Sequence, residues 1–481
     1  MNRNITSFFI LIISIMLFCF GIFTEQNTVL GVANIVLFLS IYVNYSKAIS
    51  ENIVFICFLL MIAYFCAATP IAVSLGYDYS FTITSVNNYI DLMLKVIYVA
   101  TFSSYLGYSF SARVRIKTGR DTFWNNSFEH ISIEKEQGSR IYKLIFPLYC
   151  VSAIARIYVS IIKWIYSGTV LYSTYHLGVQ EVISSIPSII VKVSSAYEIL
   201  LFCLLATFVE WKKIKGLFVV DFIISFIIFM AGVRTDFAKS LMIFFIYIVM
   251  YSSSSFISDE EKIKLKKVKK KVLMFIPVFL VASTFLQFIR SQIFYRPETL
   301  LDLFADTLLG NESAQMIAHA EIFDSELPRT GLYCLGDLRL WLHNSIFGTV
   351  FGATPYRAHS VELARAGVAF GQTVAYLVMP DHYLSGAAMG SSFIAELYAD
   401  FKFIGVFLGS VLYGFLIRFT DKLPRNNYYL RVISMLLIST IIYSPRSGFS
   451  TPITALTSLI NIFVLLLIYV IDSNNRQRRA R

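Results

Sequence analysis

The sequence predicts an all-α polytopic membrane protein, and three observations predict it. Hydrophobic types supply 57% of the 481 residues and charged types only 15%, where a soluble domain carries about a quarter charged. Apolar runs near the ~20 residues that a helix needs to cross a bilayer recur from one end of the chain to the other. Lysine and arginine gather between alternate runs, the distribution that orients a multi-pass protein.

The runs place about twelve crossings, at residues 5–23, 28–44, 53–75, 89–110, 141–166, 188–208, 217–232, 237–255, 272–290, 392–418, 428–444 and 453–471. The first follows "MNRN" without an A-x-A site and reads as a retained helix rather than a signal peptide. With the N-terminus inside, the inward segments are "ARVRIKTGR" (112–120), "EWKKIKG" (210–216), "DEEKIKLKKVKKK" (259–271), "RFTDKLPRNNYYLR" (418–431) and the tail "RQRRAR". Most of the 41 Lys+Arg then lie inside, so both termini are expected in the cytoplasm. These basic runs serve as topology signals that touch anionic lipid, not as a nucleic-acid surface.

The outer side has short loops and one long segment, Arg290 to Ser391. The chain therefore divides into helices over 1–290, a cap loop over 291–391, and helices with a basic tail over 392–481. The long segment contains no lysine but has Arg290, Arg296, Arg329, Arg339, Arg357 and Arg365, and four of the six histidines. Its aromatic and aliphatic content predicts a folded lid on the membrane domain. "TLLDLFADTLL" (299–309) and "SAQMIAHAEIF" (313–323) have helical spacing, and "VAFGQTVAYLVMP" (368–380) reads as a short interfacial helix ended by Pro380. Six cysteines without a CxxC pair, five of them in predicted helices, argue against a disulfide framework or structural zinc.

The outer rim carries the chemistry. "FMAGVRTDFAKSLMIFF" (229–245) keeps Arg234, Asp236 and Lys239 amid apolar residues, with Asp236 expected as a helix N-cap. "LQFIRSQIFYRPE" (286–298) brings Arg290 and Arg296 to the same side, and "IIYSPRSGFSTP" (441–452) brings Arg446. In "GSSFIAELYADFKFIG" (390–405), Glu396 and Asp400 stand four apart on one helical face, and the fully apolar run starts near Phe403. Arginine pairs bidentately with phosphate. Arginines at headgroup depth therefore suit a lipid-linked phosphate or pyrophosphate, where they stabilise charge on a leaving group without a metal. Arg234, Arg290, Arg296, Arg357 and Arg446 are the candidate ligands. Glu396 or His359 could take a proton from an attacking hydroxyl. Asp400, Tyr295 and Trp341 are candidate sugar contacts. No DxD, HExxH or His/Cys cluster points to a metal.

"GQTVAYLVMP" followed by "GAAMGSSFIAELYADFKFIGVFLGSVLYG" resembles the Wzy-type O-antigen polymerases, in its Gly-Ser-Ser, Ala-Glu-x-Tyr and Phe-x-x-x-Gly run entering a helix after the large outer loop. The resemblance implies a bacterial inner-membrane glycosyltransferase that joins repeat units carried on undecaprenyl pyrophosphate at the periplasmic face. It implies a fold like the C-type lipid-dependent glycosyltransferases and no cofactor, metal or nucleotide sugar. A flippase and a chain-length regulator of the same pathway would be its partners. An O-antigen ligase would need the same donor site. A repeat-unit flippase would instead place its polar residues at mid-membrane, and Arg156 and Glu198 are the residues that favour it.

Overall fold

The protein is described by a computed structural model covering residues 3–480 except 80, 82, 118–127, 169–177, 180, 232, 254–256, 273, 275–280, 282–308, 310–311 and 422–426. Among the described residues every regular element is helical. Among the described residues nine helices are long and apolar enough to cross a membrane, or ten if Thr451–Thr457 and Leu459–Ser473, which meet at a 47° bend, count as one span. The chain is an all-α polytopic membrane protein, as its hydropathy predicts. Two of the expected crossings stand apart. Trp211–Met230 is a 20-residue helix whose first turns carry Lys212, Lys213 and Lys215. Residues 272–290 fall almost wholly outside the described residues, as does the helix expected at 299–309.

The helices group into two compact units. The first comprises Met1–Arg115, Thr284–Asp421 and Thr440–Thr454. Its spine is the helix Phe393–Asp421, which packs on Ile53–Ile62. Gly107 and Gly414 let this spine cross Ile90–Lys117 closely, because a Cβ on either would strike the other helix's backbone. At its far end Asp421 accepts the backbone N–H groups of Val54 (2.7 Å) and Phe55 (3.2 Å), which the first turn of Ile53–Ile62 leaves without helical partners. The spine breaks at Lys402, whose φ of +52° is rare for a residue with a side chain.

The helix expected at 313–323 is Glu312–Ile322. It sits inside this unit, against the spine, Phe370–Val378 and the π turn Ala63–Ala67. Its small and aliphatic residues Ala314, Met316, Ile317, Ala318 and Ala320 are all buried, so the sequence segment is core on every side. Pro380 does more than end a helix: Phe370–Val378 closes at Val378, and Pro380 opens Pro380–Leu384 from the first-turn position that proline suits.

The second unit comprises Ile116–Ser283, Lys422–Ser439 and Ala455–Arg481. It is built on the long helix Phe128–Ser167, with Ser188–Ser195, Tyr197–Leu205, Trp211–Met230 and Arg234–Ser252 around it. The buried Arg431 donates through Nε to the Ala206 carbonyl (2.9 Å), and Tyr428 donates to that of Cys203 (3.0 Å). Both satisfy carbonyls left over where Tyr197–Leu205 ends. The Arg431 guanidinium also lies 5.2 Å from the Phe208 ring centroid.

Candidate functional site

Polar residues concentrate at one place in each unit. In the second unit the motif "GVRTDFAKS" starts a helix. The helix begins at Arg234, with Val233 as its N-cap, so Asp236 is the third helical residue and not the cap expected from sequence. There its charge faces the positive end of the helix dipole. One turn further, Lys239 Nζ donates to Glu198 Oε1 at 2.7 Å. The Arg156 guanidinium lies 3.9 Å from Asp236 Oδ2, beyond hydrogen-bonding distance. Asp221 accepts hydroxyls from Tyr197 (3.1 Å) and Ser240. These groups line a cavity of about 250 Å³, with apolar walls from Leu201, Phe202, Ile224, Ile228 and Ile243. An apolar stretch keeps Asp236 and Lys239 because opposite charges on two other helices, Arg156 and Glu198, face them.

The cavity is unevenly matched. Lys239 and Glu198 pair directly, while the five N–H donors of Arg156 face two carboxylates, Glu198 and, at 3.9 Å, Asp236, with no hydrogen bond to either among the described residues. Lys163 lies two turns beyond Arg156 on the same helix. Arg234 shares the first turn of Arg234–Ser252 with Asp236. The Arg156 guanidinium, which lines the cavity, can accept an anion by exchanging its weak internal contacts for charge-assisted hydrogen bonds.

In the first unit the N-terminal end of the spine gathers the other candidates. Glu396 is buried, accepting the Ser391 hydroxyl at 2.7 Å on Oε1 and the Phe449 N–H at 2.8 Å on Oε2. Asp337 reaches the same spot from the large loop and accepts the Thr451 hydroxyl. The two carboxyls crowd Gly448: a Cβ there would meet Asp337 Oδ2 at 2.5 Å and Glu396 Oε1 at 3.0 Å. Burial pushes the Asp337 carboxyl above the usual carboxylate range, and the Thr451 hydroxyl partly offsets this. Asp337 is the more open member of the pair. Arg446 is half-buried, its guanidinium 5.6 Å from the Phe65 ring centroid and its stem beside Gly390.

The remaining candidates are dispersed. Asp400 is occupied by the loop itself, accepting the N–H groups of Tyr333 (3.0 Å) and Cys334 (2.8 Å). His359 is half-buried at a φ of +54°, with its ring 5.5 Å from that of Tyr383. Burial lowers its basicity, with the carbonyls of Ala387 and Tyr383 partly offsetting this. Arg357 is exposed, and Trp341 is half-buried beside Phe347. Arg290, Arg296 and Tyr295 lie outside the described residues, and of Arg234 only the backbone is described. Among the described residues no group of three or more His, Cys, Asp or Glu is arranged to hold a metal. Asp337 had no signal in the sequence, since "CLGDLRLW" follows no spacing that links it to Glu396. Arg156 did have one, as an arginine well inside a predicted span.

Fold and polar clusters together define a multi-pass helical membrane protein that buries ionisable groups among its helices, which in lipid marks a functional site. The chain belongs to the O-antigen polysaccharide polymerase Wzy family, whose family model matches residues 6–477. No curated protein and no solved structure matches the chain.

Proposed function

We propose that this protein lengthens O-antigen polysaccharide at the outer face of the bacterial inner membrane, using a donor carried on a polyprenyl pyrophosphate. The observation that carries this reading is the family match along nearly the whole chain. In the reaction, an acceptor sugar hydroxyl attacks the donor's anomeric carbon. The bond from that carbon to the pyrophosphate breaks, the hydroxyl proton passes to a base, and the pyrophosphate leaves with added negative charge. Guanidinium groups fixed near the leaving oxygens stabilise that charge. The cavity beside "GVRTDFAKS" supports this role best, because Arg156 has unfilled donors there. Arg234 at the same helix start and Lys163 on the same helix would add to it. Within the first unit, Arg446 and the sequence candidates Arg290, Arg296 and Arg357 are a separate set of proposed phosphate contacts. Within the first unit, taken by itself, the carboxyl pair Glu396–Asp337 is a separate candidate for proton transfer, with Asp337 its more open member. A flippase would deliver the donor and a chain-length regulator would set when growth stops.

The test is polymer formation by purified enzyme in proteoliposomes with a lipid-pyrophosphate-linked repeat unit. Arg156→Ala should leave folding and insertion intact and lower the rate at least ~100-fold, the scale of losing a preorganised charge-stabilising donor. Wild-type chain length and rate in Arg156→Ala would remove this cavity from the mechanism. In cells, loss of the protein should leave lipid A core bearing a single repeat unit. Complete absence of attached repeat units would point to a ligase instead.

A further inference from the structure

We propose that the hairpin of residues 336–356 inserts its tip into the bilayer surface and anchors the large outer loop to lipid. The hairpin is a built element. The helix Gly336–Asn344 ends at Ser345, whose hydroxyl caps the next helix, Ile346–Val350, by accepting the Phe347 N–H at 3.2 Å. Gly352 then turns the chain back at a φ of +80°. Two contacts close the base: His343 Nε2 lies 2.9 Å from the Thr354 carbonyl, and Asn344 Oδ1 accepts the Tyr356 N–H at 2.9 Å. The His343 and Tyr356 rings stack over this base at 4.1 Å.

A tip held this firmly would be expected to turn its apolar residues inward. It does the reverse. Ile346 is 67% exposed, Val350 73% and Phe351 87%, and Leu342 and Phe347 are exposed with them. From Leu340 to Tyr356 there is no Asp, Glu, Lys or Arg. Among the described residues such exposure recurs on the membrane-crossing helices, as at Phe23 (88%) and Ile404 (71%). A polar surface loop does not share this character.

The position of the hairpin's root favours lipid as the occupant over a protein. Asp400 accepts the N–H groups of Tyr333 and Cys334, just before the hairpin, and Arg329 donates to the Ala399 carbonyl at 2.9 Å. Both anchor points adjoin the start of the spine's exposed apolar band at Phe401, Phe403 and Ile404. A charged collar marks the same level: Lys402 contacts Glu321 and Asp324, each at 2.8 Å, and Arg329 contacts Asp324 at 2.8 Å. The root is thus fixed where water gives way to hydrocarbon. The nine-residue helix Gly336–Asn344 reaches about 13 Å, so the tip stays within range of that boundary. Trp341 and Tyr356 flank the tip, as aromatic residues do at membrane interfaces.

The experiment uses the full chain with Cys19 and Cys150, the native cysteines that are not buried, replaced by serine. Phe351→Cys and the water-facing reference Glu326→Cys are each labelled with an environment-sensitive fluorophore. Both are reconstituted in vesicles of phosphatidylethanolamine and phosphatidylglycerol. At residue 351 emission should shift to the blue, and shallow doxyl-lipid should quench it several-fold more than at 326, while iodide quenches it less. Val350→Asp, combined with a label at Ile346→Cys, should return the tip to water with the thermal unfolding profile unchanged. Iodide quenching at 351 equal to that at 326 would overturn the proposal. So would protection that persists without lipid and grows with protein concentration, since a second copy would then cover the tip.

Discussion

His319 makes the fold sensitive to acid in a way that can be calculated. Its side chain is completely buried in Glu312–Ile322, and neither ring nitrogen has a hydrogen-bond partner. Burial alone holds its pKa down to about 4, from an ordinary 6.5. The sign follows from linkage. Above about pH 6.5 the imidazole is neutral in both folded and unfolded chains and contributes no pH dependence. As pH falls below that value the unfolded chain takes up the proton and the folded one does not, so stability declines. The loss saturates once pH passes below the folded value. It amounts to about 2 kcal/mol at about pH 5, and about 3 kcal/mol at the limit, at 1.36 kcal/mol per pKa unit. The perturbation is His319→Leu, assayed by thermal unfolding of detergent-solubilised wild type and variant across this range. Wild type should lose stability relative to the variant between about pH 6.5 and 4. At neutral pH the variant should be at least as stable, because an imidazole without partners costs desolvation that leucine does not. Parallel pH profiles for the two proteins would refute the reasoning, because His319 would then be protonated in the folded state or hydrated.

Three further outcomes follow from particular contacts. Burial pushes the Cys334 thiol up to about 12, with the Asp400 carboxylate adding to the shift. A maleimide at neutral pH should therefore label Cys334 slowly, and Asp400→Ala, by releasing the N–H groups of residues 333 and 334, should speed labelling at least tenfold; unchanged labelling kinetics would argue that Asp400 does not pin the loop. Gly448→Ala would drive a methyl between Asp337 and Glu396, and apparent stability should fall by about 1–3 kcal/mol, the usual cost of overpacking, as read by thermal unfolding. Arg156→Lys should recover little of the activity lost in Arg156→Ala if phosphate is held bidentately, and full recovery in the polymerisation assay would reduce the contact to simple charge.

Much of the fold was legible because hydropathy is a local property. A run such as "FIAELYADFKFIGVFLGSVLYGFLIRF" announces a membrane helix within its own residues, since lipid demands that each crossing satisfy its own backbone. The start of its fully apolar part near Phe403 was also visible, and the charged collar at Lys402 forms just before it; the break at Lys402 itself was not. What each acidic or basic residue would face was not visible. Asp236 looked like a cap, and the start of the helix at Arg234 moved it inward to confront Arg156. Asp400 looked able to greet a sugar, yet both its oxygens hold backbone N–H groups of the loop.

The sequence by itself determined that this chain spans a membrane many times, most of the segments that do so, where its basic runs lie, and the polymerase family its motifs resemble. These depend on composition and order within stretches of about 20 residues. Only the tertiary structure decided that Lys239 meets Glu198 across 41 residues, that Asp337 and Glu396 share the space around Gly448, and that Phe351 stands in the open. Such contacts depend on how helices cross and where a loop is pinned. Those are set by packing among distant parts of the chain, and no local pattern encodes them.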